Sequence, residues 1–200
     1  MRALLSAFEP YDRWSENSSW EALTELTHWY DGDVEITTRR YPVRWESMAQ
    51  ALHKDLCSGF DIAIHLGQAP GAPVIKLEAV GLNLRTDGQP LVKGGPEAYR
   101  SPLPLDRYRD ILLSSGIPTV VSHHAGLYLC NATLFLSQHQ AHQMALPTRS
   151  LFVHLPLTPA EASKHRESAM PSMSSTMSAA AIALILEAAS VGRLDPVAPT

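Results

Sequence analysis

Short apolar runs rich in β-branched residues recur along this chain, each followed by a stretch whose apolar residues fall three or four apart. Arg2 to Ala7, Val34 to Tyr41, Ile62 to Leu66, Val74 to Leu82, Thr119 to Ser122 and Leu151 to Leu155 have the length and composition of strands. Ser19 to Tyr30, Arg44 to Cys57, Leu105 to Ser115, Asn131 to His142 and Ser172 to Val191 have helical spacing. A β-α-β-α order constrains the fold strongly, because joining two parallel strands takes a long crossover that is normally a helix. The prediction is an α/β protein with a twisted, mainly parallel sheet and helices on both faces. Its sites belong in loops at the carboxyl ends of strands.

Those loops are Glu9 to Ser18, Gly67 to Pro73, Asn83 to Ser101, His123 to Leu129 and Pro156 to Pro159. The longest, Asn83 to Ser101, is rich in Gly and Pro and suits a lid or a subunit contact. With 45% hydrophobic residues, the 200-residue chain reads as one domain over 1–200, with 193–200 as a frayed tail. Its 16 Lys and Arg are scattered and its formal charge is -4, so neither nucleic acid nor an anionic membrane surface is an expected partner. Apolar runs fall short of the ~20 residues a membrane span needs. Met1 to Phe8 meets Glu9-Pro10 too early for a signal segment, so the chain reads as soluble and cytoplasmic.

Two cysteines are present. Cys57 closes the helical apolar series Trp45, Met48, Leu52, Leu56 and reads as a structural thiol beside the core. Cys130 differs, because Ser122-His-His-Ala-Gly-Leu-Tyr-Leu-Cys130-Asn131 ends a strand and opens a helix. First-turn N–H groups and the positive end of the helix dipole favour a thiolate there and can receive an oxyanion. His154, at the far end of the apolar strand Leu151-Phe-Val-His-Leu, is the candidate base, since a thiol nucleophile needs an imidazole partner. Glu78, an acid inside the apolar run Val74 to Leu82, either orients that imidazole or pairs with Lys76 on its own face. The spacing leaves both readings open.

His139 and His142, three apart on a helix, read as a solvated face, and His123 and His124 point to opposite sides of a strand. No metal site is proposed from them. Gly-x-Gly-x-x-Gly, Walker-type and Gly-x-Ser-x-Gly patterns are absent, so no cofactor is expected and the thiol is the best nucleophile.

Five blocks, in order, resemble those of the pyroglutamyl peptidase I (pyrrolidone-carboxylate peptidase) family of cysteine peptidases. They are Phe8-Glu-Pro-Tyr-Asp-Arg-Trp-Ser-Glu-Asn17-Ser-Ser-Trp20, Gly67-Gln68-Ala-Pro, Gly94-Gly-Pro-Glu-Ala-Tyr99 with Leu103-Pro104, Ala125-Gly-Leu-Tyr-Leu-Cys130-Asn131, and Phe152-Val-His154-Leu-Pro-Leu-Thr-Pro159. The resemblance implies a three-layer α/β/α sandwich, with Cys130 as nucleophile, His154 as general base and acid, and Glu78 as orienter. It further implies hydrolysis of an N-terminal pyroglutamyl residue through an acyl-enzyme, and a homo-oligomer, dimeric or tetrameric. Phe8 and Tyr11 would pack on the lactam ring, the backbone around Gln68 would bond its amide, and Tyr128 and Leu129 would line the pocket.

The chain departs from the family pattern in three places. Tyr11-Asp12-Arg13 replaces Phe-Gly-Gly, and Ala79 follows the acid where the family carries arginine. Asn83 to Gln89 is shorter than the family loop whose arginine assists the oxyanion, and Arg85 is the candidate to replace it. These departures define the alternative reading, a catalytically weak homologue that binds a pyroglutamate-like ligand.

Overall fold

The computed structural model describes residues 1–165 and 169–191, so the expected tail at 193–200 lies outside the described residues. Six strands form the main sheet in the order β2-β1-β3-β8-β4-β7. They are β1 (Arg2–Phe8), β2 (Glu35–Tyr41), β3 (Ile62–Gln68), β4 (Ile75–Glu78), β7 (Thr119–Ser122) and β8 (Arg149–Leu155). A separate antiparallel pair, β5 (Val80–Leu82) and β6 (Ala98–Arg100), forms a small second sheet. The helices are α1 (Ser18–Trp29), α2 (Trp45–Leu56), α3 (Leu105–Ser114), α4 (Leu129–Gln143), the short α5 (Pro159–Ala162) and α6 (Ser175–Val191).

Alternation along the central strands divides the interior into two layers. Ile62, Ile64 and Leu66 of β3, with Leu151, Val153 and Leu155 of β8, pack against α1, α3 and α6. Ala63 of β3 and Phe152 of β8 face α2 and α4 instead. The result is the expected three-layer α/β/α arrangement. His65, Gly67 and His154 take the α4 side because each is an odd step from the residues that face α1 and α6.

The run Val74 to Leu82 is not one strand. It breaks at Ala79, whose N–H bonds Ser122 O and whose O accepts from Ser101 N–H, and β5 then leaves the sheet to pair with β6. Gly81 permits this departure: a Cβ there would come to 2.6 Å from the Phe135 backbone nitrogen, so only glycine lets the hairpin lie against α4. The loop expected over Asn83 to Ser101 therefore contains β6, and the loop after β8 runs into α5.

One direction also differs from simple alternation. β4 runs antiparallel to β8 while pairing parallel with β7. β3 and β4 are joined by residues 69–74 with no helix between them, too short a link for the crossover that a parallel return requires. Cys57, expected beside the core, is exposed and free, because α2 ends at Leu56 and its apolar face stops there. Among the described residues no helix is long and apolar enough to cross a membrane.

Candidate active site

Helix α4 begins at Leu129, so Cys130 occupies its first turn. Tyr128 at the N-cap supplies no side-chain acceptor, and Ala132 N–H to Tyr128 O opens the helical ladder. The N–H groups of Leu129, Cys130 and Asn131 precede that ladder and face the end where the sulfur sits. Asn131, wholly buried, faces the hairpin. Its Oδ1 accepts from Leu82 N–H at 2.8 Å and its Nδ2 donates to Leu82 O at 2.9 Å and Leu84 O at 3.0 Å.

His154 comes from the end of β8 and Glu78 from the end of the oppositely running β4. Nδ1 of His154 lies 2.8 Å from Glu78 Oε1, and both side chains are buried. Burial opposes the charged imidazolium. The Cys130 sulfur, as charge and as hydrogen-bond partner, and the Glu78 carboxylate outweigh it and carry His154 up to about 9. Burial likewise pushes the Glu78 carboxyl up, but the His154 hydrogen bond, the nearby Ser122 hydroxyl and the charges of His154 and Lys76 hold it below the usual carboxylate range. Of the two readings of Glu78, the contact is with the imidazole.

Beside Cys130 lies a cavity of about 160 Å³ lined by Phe8, Tyr11, Asn17, Val43, Gly67, Gln68, Tyr128, Leu129 and Cys130. All five residues expected to bind substrate therefore meet there. Gln68 Oε1 is occupied by the Ser18 N–H at 2.8 Å, whereas its buried Nε2 has no partner among the described residues. The Tyr11 phenol is pushed up to about 12, by burial first and then by the charges of Cys130 and Asp12, so it is a neutral hydroxyl on the cavity wall. Asp12, one of the residues that depart from the expected pattern, takes a φ of 53°, a left-handed conformation that aspartate tolerates better than most side chains.

Arg85, the residue expected at the oxyanion, does not line this cavity. Its guanidinium pairs with Asp87 at 3.2 Å and lies 5.4 Å over the Trp45 ring. Sequence reasoning missed Asn17, Val43 and Gly67 as lining residues. Asn17 caps α1 by accepting from Ser19 N–H, and an Asn-Ser-Ser cap signal ahead of an amphipathic stretch could have marked it. Val43 follows β2 in a connection too short to stand out. His139 is not simply solvated, since its Nδ1 lies 3.1 Å from the Tyr99 hydroxyl of β6. Among the described residues no group of three or more His, Cys, Asp or Glu side chains is placed to hold a metal ion.

These features define an α/β protein built around a cysteine, a buried histidine and a carboxylate beside a small apolar cavity. A family model described as pyroglutamyl peptidase matches residues 1–191. The pyrrolidone-carboxylate peptidase of Clavibacter michiganensis is 36% identical over 171 residues, 80% of each chain. That of Pectobacterium atrosepticum is 31% identical over 204 residues, covering 96% of this chain and 94% of the relative. A mutant pyrrolidone carboxyl peptidase from Pyrococcus furiosus superposes with a TM-score of 0.90 at 32% identity, covering 97% of this chain and 100% of that one. The chain belongs to the pyroglutamyl peptidase family, a family of cysteine exopeptidases.

Proposed function

We propose that the protein hydrolyses the bond after an N-terminal pyroglutamyl residue, with Cys130 as nucleophile, His154 as base and acid, and Glu78 as orienter. The observation that carries the reading is the buried His154–Glu78 contact at 2.8 Å, facing a thiol that itself lines a ring-sized apolar cavity. Phe8, Tyr11, Tyr128 and Leu129 pack on the lactam, while the polar edge at Gln68 meets its amide. A pocket whose buried polar groups need the lactam rejects analogues lacking it by roughly 10⁴-fold.

Glu78 holds Nδ1 and stabilises the imidazolium, leaving Nε2 to serve the sulfur. Sulfur attacks the pyroglutamyl carbonyl carbon, and first-turn N–H groups of α4 receive the oxyanion. As the C–N bond breaks, His154 gives its proton to the departing amine. Water, activated by the same imidazole, cleaves the thioester and frees pyroglutamate and the thiol. By family resemblance the enzyme acts in the cytoplasm as a homo-oligomer, and light scattering of the purified protein tests the assembly.

The direct test is release of a chromophore from a pyroglutamyl amide. Activity is expected to vanish in Cys130→Ser, to be blocked by iodoacetamide and to survive EDTA. Full activity of Cys130→Ser would refute the nucleophile. Calorimetric binding of pyroglutamate with no turnover would instead favour a binding homologue.

A further inference from the structure

The proposed mechanism uses one oxygen of Glu78 and leaves the other unexplained. Oε1 meets His154, but Oε2 is buried and makes no hydrogen bond of ordinary geometry among the described residues. A buried carboxylate oxygen without a donor is costly, and the cost falls on the charged form that the imidazolium needs.

The strand register shows what stands beside it. Glu78 pairs with Ser122 across the parallel β4–β7 ladder, so the two side chains leave neighbouring strands on the same face. The backbone around them is tied closely, since Ala79 N–H bonds Ser122 O at 2.7 Å. The Ser122 oxygen already accepts the His124 N–H at 3.4 Å, which leaves its own proton free to donate. His124 in turn receives the Gly126 N–H on Nδ1 at 3.1 Å, within the loop that leads to Cys130. Ser122 thus stands where β7, the neighbour of the strand carrying the acid, becomes the loop that leads to the nucleophile's helix.

We propose that Ser122 is a positioning residue of the active site, its hydroxyl donating to Glu78 Oε2 and keeping the carboxylate charged and aimed at His154. This rests on the assignment of Glu78 as orienter. The hydroxyl falls outside ordinary hydrogen-bond geometry in the described conformation, yet it is already among the groups that hold the Glu78 carboxyl down. A turn about the Ser122 Cα–Cβ bond redirects the hydroxyl with no backbone movement. The other groups acting on Glu78 are His154 from β8 and Lys76 from its own strand, and neither supplies a hydrogen bond to Oε2.

The test compares Ser122→Thr with Ser122→Val, which share a shape suited to a strand and differ in the hydroxyl. Both are made in a Cys57→Ser background, so that iodoacetamide reports Cys130 alone. Removing the donor makes Glu78 easier to protonate, weakens the imidazolium and so moves thiolate formation to higher pH. The valine variant should therefore show its alkylation midpoint raised by about one pH unit and kcat/KM on a pyroglutamyl amide lowered about ten-fold. The threonine variant should keep the parent midpoint and most of the rate.

Equal alkylation profiles for the threonine and valine variants, both folded by circular dichroism, would overturn the proposal. If valine does not fold, Ser122→Ala takes its place in the comparison. Alkylation needs no substrate, so a parent protein inactive on pyroglutamyl amides would refute the peptidase reading while leaving the role of Ser122 to be read from the midpoints.

Discussion

Gly67 makes room for Cys130. A Cβ on Gly67 would come to 2.7 Å from the Phe152 ring, closer than real side chains approach, and to 3.2 Å from Cys130 Sγ, a tight contact. Backbone freedom is not what this glycine supplies, since it lies within β3 with no left-handed φ. Its contribution is empty volume on the α4 face of the sheet.

Gly67→Ala should therefore push either the Phe152 ring or the thiol. Overpacking of this kind costs about 1–3 kcal/mol. The expected result is a lower melting temperature together with a fall in kcat/KM. Gly67→Ala combined with Phe152→Leu should recover stability more than activity, because only the ring clash is relieved. Unchanged kinetics in Gly67→Ala would show that the sulfur does not need this space.

The raised His154 value predicts an alkaline limb of activity. With its folded value at about 9, the imidazolium persists from the ordinary histidine range up to that pH and is lost above it. The amine then has no acid to leave with, so kcat/KM should fall with a midpoint near 9. Glu78→Gln removes a group that raises His154, so the limb should move to lower pH and kcat should drop by roughly 10²- to 10⁴-fold. A pH–rate profile of both proteins checks the shift, and an unmoved limb would break the link between Glu78 and His154.

Asn131 ties α4 to the β5–β6 hairpin through three hydrogen bonds. Asn131→Asp keeps the acceptor for Leu82 N–H but loses both donations, leaving the Leu82 and Leu84 carbonyls facing a carboxylate. The expected loss is about 2–4 kcal/mol in denaturant unfolding, with faster hydrogen exchange across β5. Exchange limited to the helix terminus, with β5 unaffected, would contradict this role.

Arg85 is held by Asp87 and Trp45 away from the cavity. Its pair is half-exposed and worth at most about 1 kcal/mol. Arg85→Ala should accordingly change turnover by less than about three-fold, whereas a drop of 10- to 1,000-fold at unchanged affinity would assign it to the oxyanion.

His65 predicts the behaviour in acid. It is wholly buried, between Ser6 Oγ at 2.7 Å on Nδ1 and Ser137 Oγ at 3.0 Å on Nε2, and burial lowers it to about 3. The unfolded chain takes up a proton near pH 6.5 that the native state refuses until about 3, so stability falls as pH drops through that interval. The slope from this group approaches ~1.4 kcal/mol per pH unit. His65→Gln should flatten the dependence of unfolding free energy on pH between 6 and 4, and an equal slope in both proteins would refute the assignment.

Much of this molecule was readable from residue order. Periodicity located β1, β3, β8, α1, α2 and α4, because long buried elements repeat their apolar residues at the spacing of their own geometry. The placement of Cys130 at a helix start followed from a strand-like run giving way to a helical one. The pairing of Glu78 did not follow, because Lys76 lay at the same spacing on the same strand. The split of Val74 to Leu82 was equally hidden, since an unbroken apolar run does not record which sheet each half joins.

What the sequence alone determined was therefore local and periodic: the α/β class, the helix-start thiol and the candidate histidine. What tertiary structure decided was partnership and direction. β4 runs against β8, so Glu78 meets His154, 76 positions away in the chain, and Arg85 is drawn over the Trp45 ring. The physical reason is that hydrophobic spacing reports which face of an element is buried, whereas contacts between elements depend on sheet order, register and packing that no single segment encodes.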